Sequence, residues 1–123
     1  MMNHPPHAAE LLSCIALRNL DRIRQRTRKM LDGNHAAWNR FLDERDDLEA
    51  SRFEFGTVSF PLLKRGSVDS LCEILKKKYD TTVVPGGFFE MPEHFRVGLG
   101  CAEETFAAGI ERLGKVLDEI RVL

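Results

Sequence analysis

The sequence predicts one α+β domain: a long N-terminal helix and a second helix, then a β-α-β-β-α segment. The three strands of that segment are expected to form a small mixed sheet with helices on one face. Apolar residues recur at three- and four-residue spacing towards both ends of the chain and alternate with polar residues in the middle. The chain has 123 residues, 43% of them hydrophobic and 30% charged, which suits one core and is too short for two.

Helical spacing without an internal Gly or Pro predicts the long helix over residues 8–31. The Asp-Gly-Asn at 32–34 is expected to end it and to cap a shorter second helix that carries Trp38. Segment 43–49 holds five acids and one arginine, which predicts a solvated helix end and loop.

Strand-like alternation begins at Phe53 and Phe55. It resumes, shifted by one residue at Gly56, with the apolar face Val58, Phe60 and Leu62. A strand keeps its apolar face across such a slip only by a bulge or a bend, which glycine permits. We therefore expect a short approach strand, a bend at Gly56 and a buried strand over 57–62.

The second half alternates helix and strand signals. Ser67 is a good N-cap for a helix ending at the lysines 76–78. The β-branched run 81–84 predicts a second strand, and the following Pro-Gly-Gly is expected to form a turn with positive φ. A third strand is predicted over 94–100 and a final helix over 103–121.

The connections predict the order of the sheet. A right-handed crossover through the helix at 67–78 makes the first two strands parallel. The third strand, reached by the loop 85–93, is expected to run antiparallel to both and to lie between them.

Composition narrows the function classes. The formal net charge is −1, although residues 18–29 carry +5, so we expect a solvated basic helix face rather than a nucleic-acid-binding protein. No apolar run approaches the roughly 20 residues of a membrane span, and no signal peptide is evident, so a cytoplasmic location is expected. Three widely spaced cysteines and scattered histidines predict reduced, at least partly buried thiols and no metal site.

Arg96 is the strongest candidate for chemistry. It lies in the middle of the third predicted strand, on the face opposite Phe95 and Val97, and the next residues on its own face are Gly98 and Gly100. An uncrowded guanidinium suits bidentate binding of a carboxylate or phosphate. An ion pair with a local acid, Glu90 or Glu93, is the alternative.

No nucleophile is paired with a credible base anywhere in the sequence, so the residues themselves lead only as far as an anion-binding domain. The turn at 85–89 (Pro-Gly-Gly-Phe-Phe) adds a place where backbone approaches another chain or a ligand.

Three blocks in order carry a family resemblance: 55–61 (Phe-Gly-Thr-Val-Ser-Phe-Pro), 82–89 (Thr-Val-Val-Pro-Gly-Gly-Phe-Phe) and 94–100 (His-Phe-Arg-Val-Gly-Leu-Gly). Together they resemble the C-terminal small domain of fold-type I, PLP-dependent aminotransferases of class I/II. Residues 8–48 are similar to the family's long interdomain helix and the helix after it.

The resemblance implies a division of the chain into a disordered N-terminus (1–7), interdomain-type helices (8–50) and an α+β small domain (51–123), which together form one domain. It also implies that Arg96 binds the α-carboxylate of an amino-acid or 2-oxo-acid substrate, and that Gly56 lies at the mouth of the substrate pocket.

The family's Schiff-base lysine, phosphate loop and pyridinium-binding acid lie upstream of the long helix, and no lysine of this chain has a matching Ser-x-x-Lys context. We therefore expect the C-terminal part of a longer enzyme, with PLP in the full-length family but no cofactor and no catalysis in this chain alone. The alternative is a free-standing interaction or small-anion-binding module with the same fold.

The expected partners are an amino-acid or 2-oxo-acid substrate in the full-length context, with no nucleic acid and no membrane. Self-association is expected through helix surface left uncovered at Leu11, Leu12 and Ile15.

Overall fold

The computed structural model describes residues 6–122. Most of the predicted disordered N-terminus lies outside these residues, and the first helix begins at His7, inside that segment. The elements in chain order are α1 (His7–Arg18), α2 (Leu20–Asp43), β1 (Leu48–Glu49), β2 (Val58–Ser59), β3 (Leu62–Leu63), α3 (Val68–Tyr79), β4 (Val84–Pro85), a 3₁₀ turn (Gly86–Phe89), β5 (Phe95–Gly98) and α4 (Glu103–Ile120).

The predicted helix boundary at 32–34 is wrong, because α1 ends and α2 begins around Asn19. The Asn19 side chain donates to the carbonyl of Ile15 at 2.8 Å and ends the first helix locally. Gly33 continues inside α2, where a Cβ would lie 2.9 Å from a carboxylate oxygen of Glu103. The glycine therefore permits a close approach to the start of α4 and does not end a helix.

Asn34 ties α2 to the sheet instead of capping a helix. Its side chain is 2% exposed. Its amide nitrogen donates to the carbonyl oxygens of Leu99 at 2.8 Å and Cys101 at 2.7 Å, just beyond β5. One turn further along α2, the indole N–H of Trp38 donates to the hydroxyl of Ser59 at 2.9 Å. Two buried polar contacts thus fix α2 against β5 and β2.

The predicted strand order is confirmed. The three-stranded sheet has the order β2-β5-β4, and β5 runs antiparallel to both neighbours. β2 and β4 therefore share a direction without being paired. Every hydrogen-bonded pair is antiparallel, so the expected mixed character of the sheet is corrected to antiparallel.

A second, two-stranded sheet was not predicted. β1, which lies in the segment expected to be solvated, pairs antiparallel with β3. Asp47, beside β1, is buried and accepts two hydrogen bonds from the Arg45 guanidinium, each 2.8 Å long. These hydrogen bonds hold the pKa of the Asp47 carboxyl below its usual range. The acidic run is therefore only partly solvated, because the carboxylate of Asp47 is buried and paired with Arg45.

The predicted core face of the first strand is also wrong. Ser59, Pro61 and Leu63 point into the core, whereas Val58 is 44% exposed. Ser59 can be buried because the indole of Trp38 satisfies its hydroxyl.

The expected approach strand does not form. Phe53 and Phe55 are 64% and 65% exposed and lie outside any strand. Gly56 does adopt a φ of 122°, as a bend at this position requires.

The remaining elements follow the prediction, except that the strand expected over 81–84 is reduced to β4, which begins at Val84. The Ser67 hydroxyl accepts from the backbone N–H of Ser70 at 3.3 Å and caps α3. α3 and α4 pack together, and their apolar side chains share one core with Phe95 and Val97 of β5 and with Leu99 just beyond it. The helices therefore cover one face of the sheet only.

The cysteines are free, and the expectation for one of them is corrected: Cys14 is exposed on α1, while Cys72 and Cys101 are partly buried. Burial raises the pKa of the Cys72 thiol. Within residues 6–122, no helix is both long and apolar enough to cross a membrane.

Replacing Asn34 by Ala should lower the free energy of unfolding by about 2 kcal/mol, because the carbonyls of Leu99 and Cys101 would lose a buried donor. Urea denaturation measures the change. The matched control is Asn39→Ala, on the same helix, which removes an amide with no side-chain hydrogen bond in the described chain. Equal effects of the two substitutions would contradict the assigned role of Asn34.

Candidate functional site

Arg96 lies at the centre of the three-stranded sheet. Its strand β5 is paired on both sides, and Arg96 itself is opposite Val84 of β4. The neighbouring residues Phe95 and Val97 point into the core, so the Arg96 side chain points to the exposed face of the sheet. This is the side that the alternation predicted. A central strand with hydrogen bonds along both edges gives the guanidinium a rigid base.

The alternative for Arg96, an ion pair with Glu90 or Glu93, is not formed. Across residues 6–122, no carboxylate pairs with Arg96 and no hydrogen bond engages its guanidinium. The guanidinium lies over the ring of Phe89, whose centroid is 5.7 Å from the Arg96 Cζ. Such a cation–π contact restrains the side chain and leaves its N–H groups free to donate.

An aromatic cluster borders Arg96. Phe60 meets Phe89 edge-to-face, with centroids 5.7 Å apart and planes at 87°. Phe60 also stacks on His94, with centroids 5.0 Å apart and planes at 19°. We call Arg96 with Phe60, Phe89 and His94 the Arg96 face. The sequence does not point to Phe60, because the alternation of the first strand predicts it in the core. His94 is expected on the same strand face as Arg96, and Phe89 lies in the turn singled out at 85–89.

The two glycines that follow on the Arg96 side of β5 leave space above the sheet. A Cβ at Gly98 would meet no atom within 4 Å, and one at Gly100 would reach only the side chain of Thr57, 3.8 Å away. The guanidinium is therefore accessible along the strand, as predicted from the absence of side chains there.

The turn after β4 brings Phe89 over Arg96, but its geometry differs from the prediction. Gly86 begins a 3₁₀ turn and has no positive φ; in the described chain the glycines with positive φ are Gly56 and Gly66. A Cβ on Gly86 would lie 2.1 Å from the carbonyl oxygen of Met91 and 2.4 Å from that of His94. Glycine is thus required for close backbone contact within the turn.

Gly56 is not next to Arg96. The N–H of Leu99 donates to the carbonyl of Thr57 at 2.7 Å, which places Gly56 beside the far end of β5. Continued by one residue, this register sets Gly56 level with Gly100, four residues beyond Arg96 and about 13 Å away along the chain. The carbonyl of Gly56 is hydrogen-bonded to the His35 ring at 2.7 Å and lines a groove of about 350 Å³ against α2. The role predicted for Gly56 at a pocket mouth stays a prediction.

The known proteins that resemble this chain are found among solved structures. No family model and no curated protein matches the chain. A PLP-dependent aminotransferase from Streptococcus suis superposes with a TM-score of 0.84 at 26% identity, over 89% of this chain and 30% of that one. The chain has the fold of the small domain of a PLP-dependent aminotransferase. The resemblance noted in the sequence is thereby confirmed.

Further solved structures share this fold. The PLP-dependent cyclase OrfR has a TM-score of 0.84 at 23% identity over 94% of this chain and 32% of its own. The α-aminoadipate aminotransferase LysN from Thermus thermophilus has a TM-score of 0.75 at 21% identity, over 89% and 30%. This chain thus spans about a third of the length of its aminotransferase-like neighbours.

The lysines of this aminotransferase-like chain do not fit a covalent PLP site. All six lie exposed at the surface (Lys29, Lys64, Lys76, Lys77, Lys78 and Lys115). A lysine that forms a Schiff base needs a lowered pKa, yet the hydrogen bond that Lys115 donates to Glu111 raises the pKa of Lys115. No cluster of metal-ligating side chains occurs in the part of the chain that the structure describes.

Proposed function

We propose that this chain acts as the small domain of a class I/II aminotransferase, in which Arg96 binds the α-carboxylate of an amino-acid or 2-oxo-acid substrate. One observation carries the proposal: a guanidinium without a carboxylate partner in residues 6–122 stands on the exposed sheet face of an aminotransferase small domain. The proposed location is the cytoplasm.

The geometry suits carboxylate binding for a physical reason. A guanidinium presents two parallel N–H groups that match the two oxygens of a carboxylate. β5 is held by pairing on both edges, and Phe89 restrains the Arg96 side chain, so less conformational entropy is lost on binding. The chain's own contribution is therefore to hold and orient the substrate.

Arg96→Gln should weaken binding of pyruvate by about tenfold or more, because a charge-assisted bidentate contact becomes a neutral one. Titration followed by ¹H–¹⁵N NMR on the 123-residue chain measures the affinity and locates the site. In the wild type, the largest shifts are expected at Arg96, Val84 and Gly98.

The matched control is Arg22→Gln, which removes an exposed arginine on α2 and should leave pyruvate binding unchanged. Arg96→Lys should retain part of the affinity, since an ammonium keeps the charge but not the planar pair of donors. Pyruvate binding that survives Arg96→Gln, or shifts confined to α2, would overturn the proposal.

We also propose that the chain alone neither holds PLP covalently nor transaminates. Its six lysines are exposed at the surface, so none of them lies in the desolvated pocket that favours the neutral amine needed to attack an aldehyde. Incubation with PLP, borohydride reduction and peptide mass spectrometry should give only partial labelling spread over several lysines. Complete labelling of one lysine would show a built site and refute this part of the proposal.

A free-standing binding module is the second candidate function. One observation favours it: α2, α3, α4 and the sheets enclose a continuous apolar core without any further chain. The chain therefore has the means to fold on its own and to present the Arg96 face independently. Carboxylate binding by the isolated chain is compatible with both candidates, whereas a requirement for a separate large domain would favour the first.

The chain is further proposed to self-associate through α1. None of the residues of α1 is buried, and Leu11, Leu12 and Ile15 are all exposed. Contiguous apolar surface of this kind is normally covered in a folded assembly.

Leu12→Glu should shift the sedimentation coefficient towards that of a monomer, because a charge would have to be buried in the contact. Ser13→Glu, which adds the same charge at the neighbouring position, should have a smaller effect. A wild-type chain that stays monomeric at high concentration and binds no apolar dye would contradict self-association.

A further inference from the structure

We propose that the Arg96 face selects monocarboxylates with an aromatic body over short aliphatic acids and over dicarboxylates. This inference rests on the proposed function, because it names the class of substrate that the Arg96 site would take. It follows from the aromatic and apolar side chains beside the Arg96 guanidinium and from the lack of a second lysine or arginine on the neighbouring strands.

Aromatic and apolar residues flank Arg96 on both neighbouring strands. Val58 pairs with Gly98 and Ser59 with Val97, so the same antiparallel register sets Phe60 opposite Arg96. On the other edge of β5, Val84 is the partner of Arg96. A carboxylate bound to the guanidinium would therefore have its body next to a phenyl ring or an isopropyl group, whichever strand it extends over.

The aromatic rings are available to a ligand. Phe89 contacts Arg96, and its side chain is 47% exposed. On the same side of the sheet, Phe60 packs edge-to-face against the ring of Phe89. Aromatic rings attract a further ring in edge-to-face or offset-stacked geometry with centroids 4.5–7 Å apart. A planar group two or three bonds from a carboxylate could join this cluster while its oxygens remain on Arg96.

The charges around the site disfavour a second carboxylate. Across β2, β4, β5 and the turn between β4 and β5, Arg96 is the one lysine or arginine. The same turn carries two acids, Glu90 and Glu93. A dicarboxylate would have one negative group without a lysine or arginine partner on these strands and their turn, and the net charge of the turn itself is negative.

The test compares three acids that share a two-carbon spacer: propionate, succinate and 3-phenylpropionate. Each is titrated into the 123-residue chain and followed by ¹H–¹⁵N NMR. We expect 3-phenylpropionate to bind at least about fivefold more tightly than propionate, and succinate to bind no more tightly than propionate. Arg96→Gln should weaken all three.

Two variants probe the aromatic preference. Phe60→Leu and Phe89→Leu should each reduce the ratio of the affinity for 3-phenylpropionate to that for propionate, because leucine is apolar but offers no ring. Phe89→Leu should in addition weaken the binding of both acids by a common factor, because it removes the contact that restrains Arg96. Phe53→Leu is the matched control, since Phe53 is exposed but lies outside the Arg96 face. Unchanged amide spectra away from the substitution verify that each variant is folded.

The outcomes separate the inference from the proposed function. Propionate and pyruvate that fail to bind at Arg96 would overturn the proposed function and with it this inference. Propionate that binds at Arg96 without any gain from the phenyl group, or succinate that binds more tightly than 3-phenylpropionate, would overturn only the inference. A phenyl gain that persists in both ring variants, or that disappears in Phe53→Leu, would do the same.

Discussion

The attachment of α2 to the sheet is the constraint on which the rest of the structure depends. Asn34 donates to two carbonyls beyond the end of β5, and Trp38 donates to Ser59 on β2. Both contacts are buried, so either partner left alone would keep an unsatisfied polar group in the core. The helix is therefore held on one side of the sheet in one register, over the face of β5 on which Phe95 and Val97 are buried.

The opposite face of the sheet owes its character to the same constraint. With α2, α3 and α4 on one side, Arg96, Phe60 and Phe89 are left on the other. Arg96 occupies the middle of this central strand, on the exposed face of the sheet. It lies beside the rings of Phe60 and Phe89 and has no carboxylate partner in residues 6–122, which leaves its N–H groups free for an anion supplied from outside.

Local patterns predicted the elements that depend on local physics. The alternation of Phe95, Val97 and Leu99 fixed the buried side of β5, and hence the exposure of Arg96, because successive side chains of a strand point to opposite faces. The cap at Ser67 set the start of α3 in the same way, since its hydrogen bond closes within three residues. The crossover rule then placed β5 between β2 and β4 without any knowledge of contacts.

The sequence by itself determined the α+β class, the order of the sheet and Arg96 as the candidate ligand-binding residue. Tertiary structure decided which face of β2 is buried, that α2 runs through Gly33, that β1 pairs with β3, and that Phe60 stands beside Arg96. In the first two cases a polar residue that looked like surface or a cap found a buried partner distant in sequence: Ser59 found Trp38, and Asn34 found two carbonyls beyond β5. Periodicity describes the spacing of apolar residues along the chain. A polar residue can be buried only if its hydrogen-bonding groups find partners, and those partners are brought together only when the chain folds.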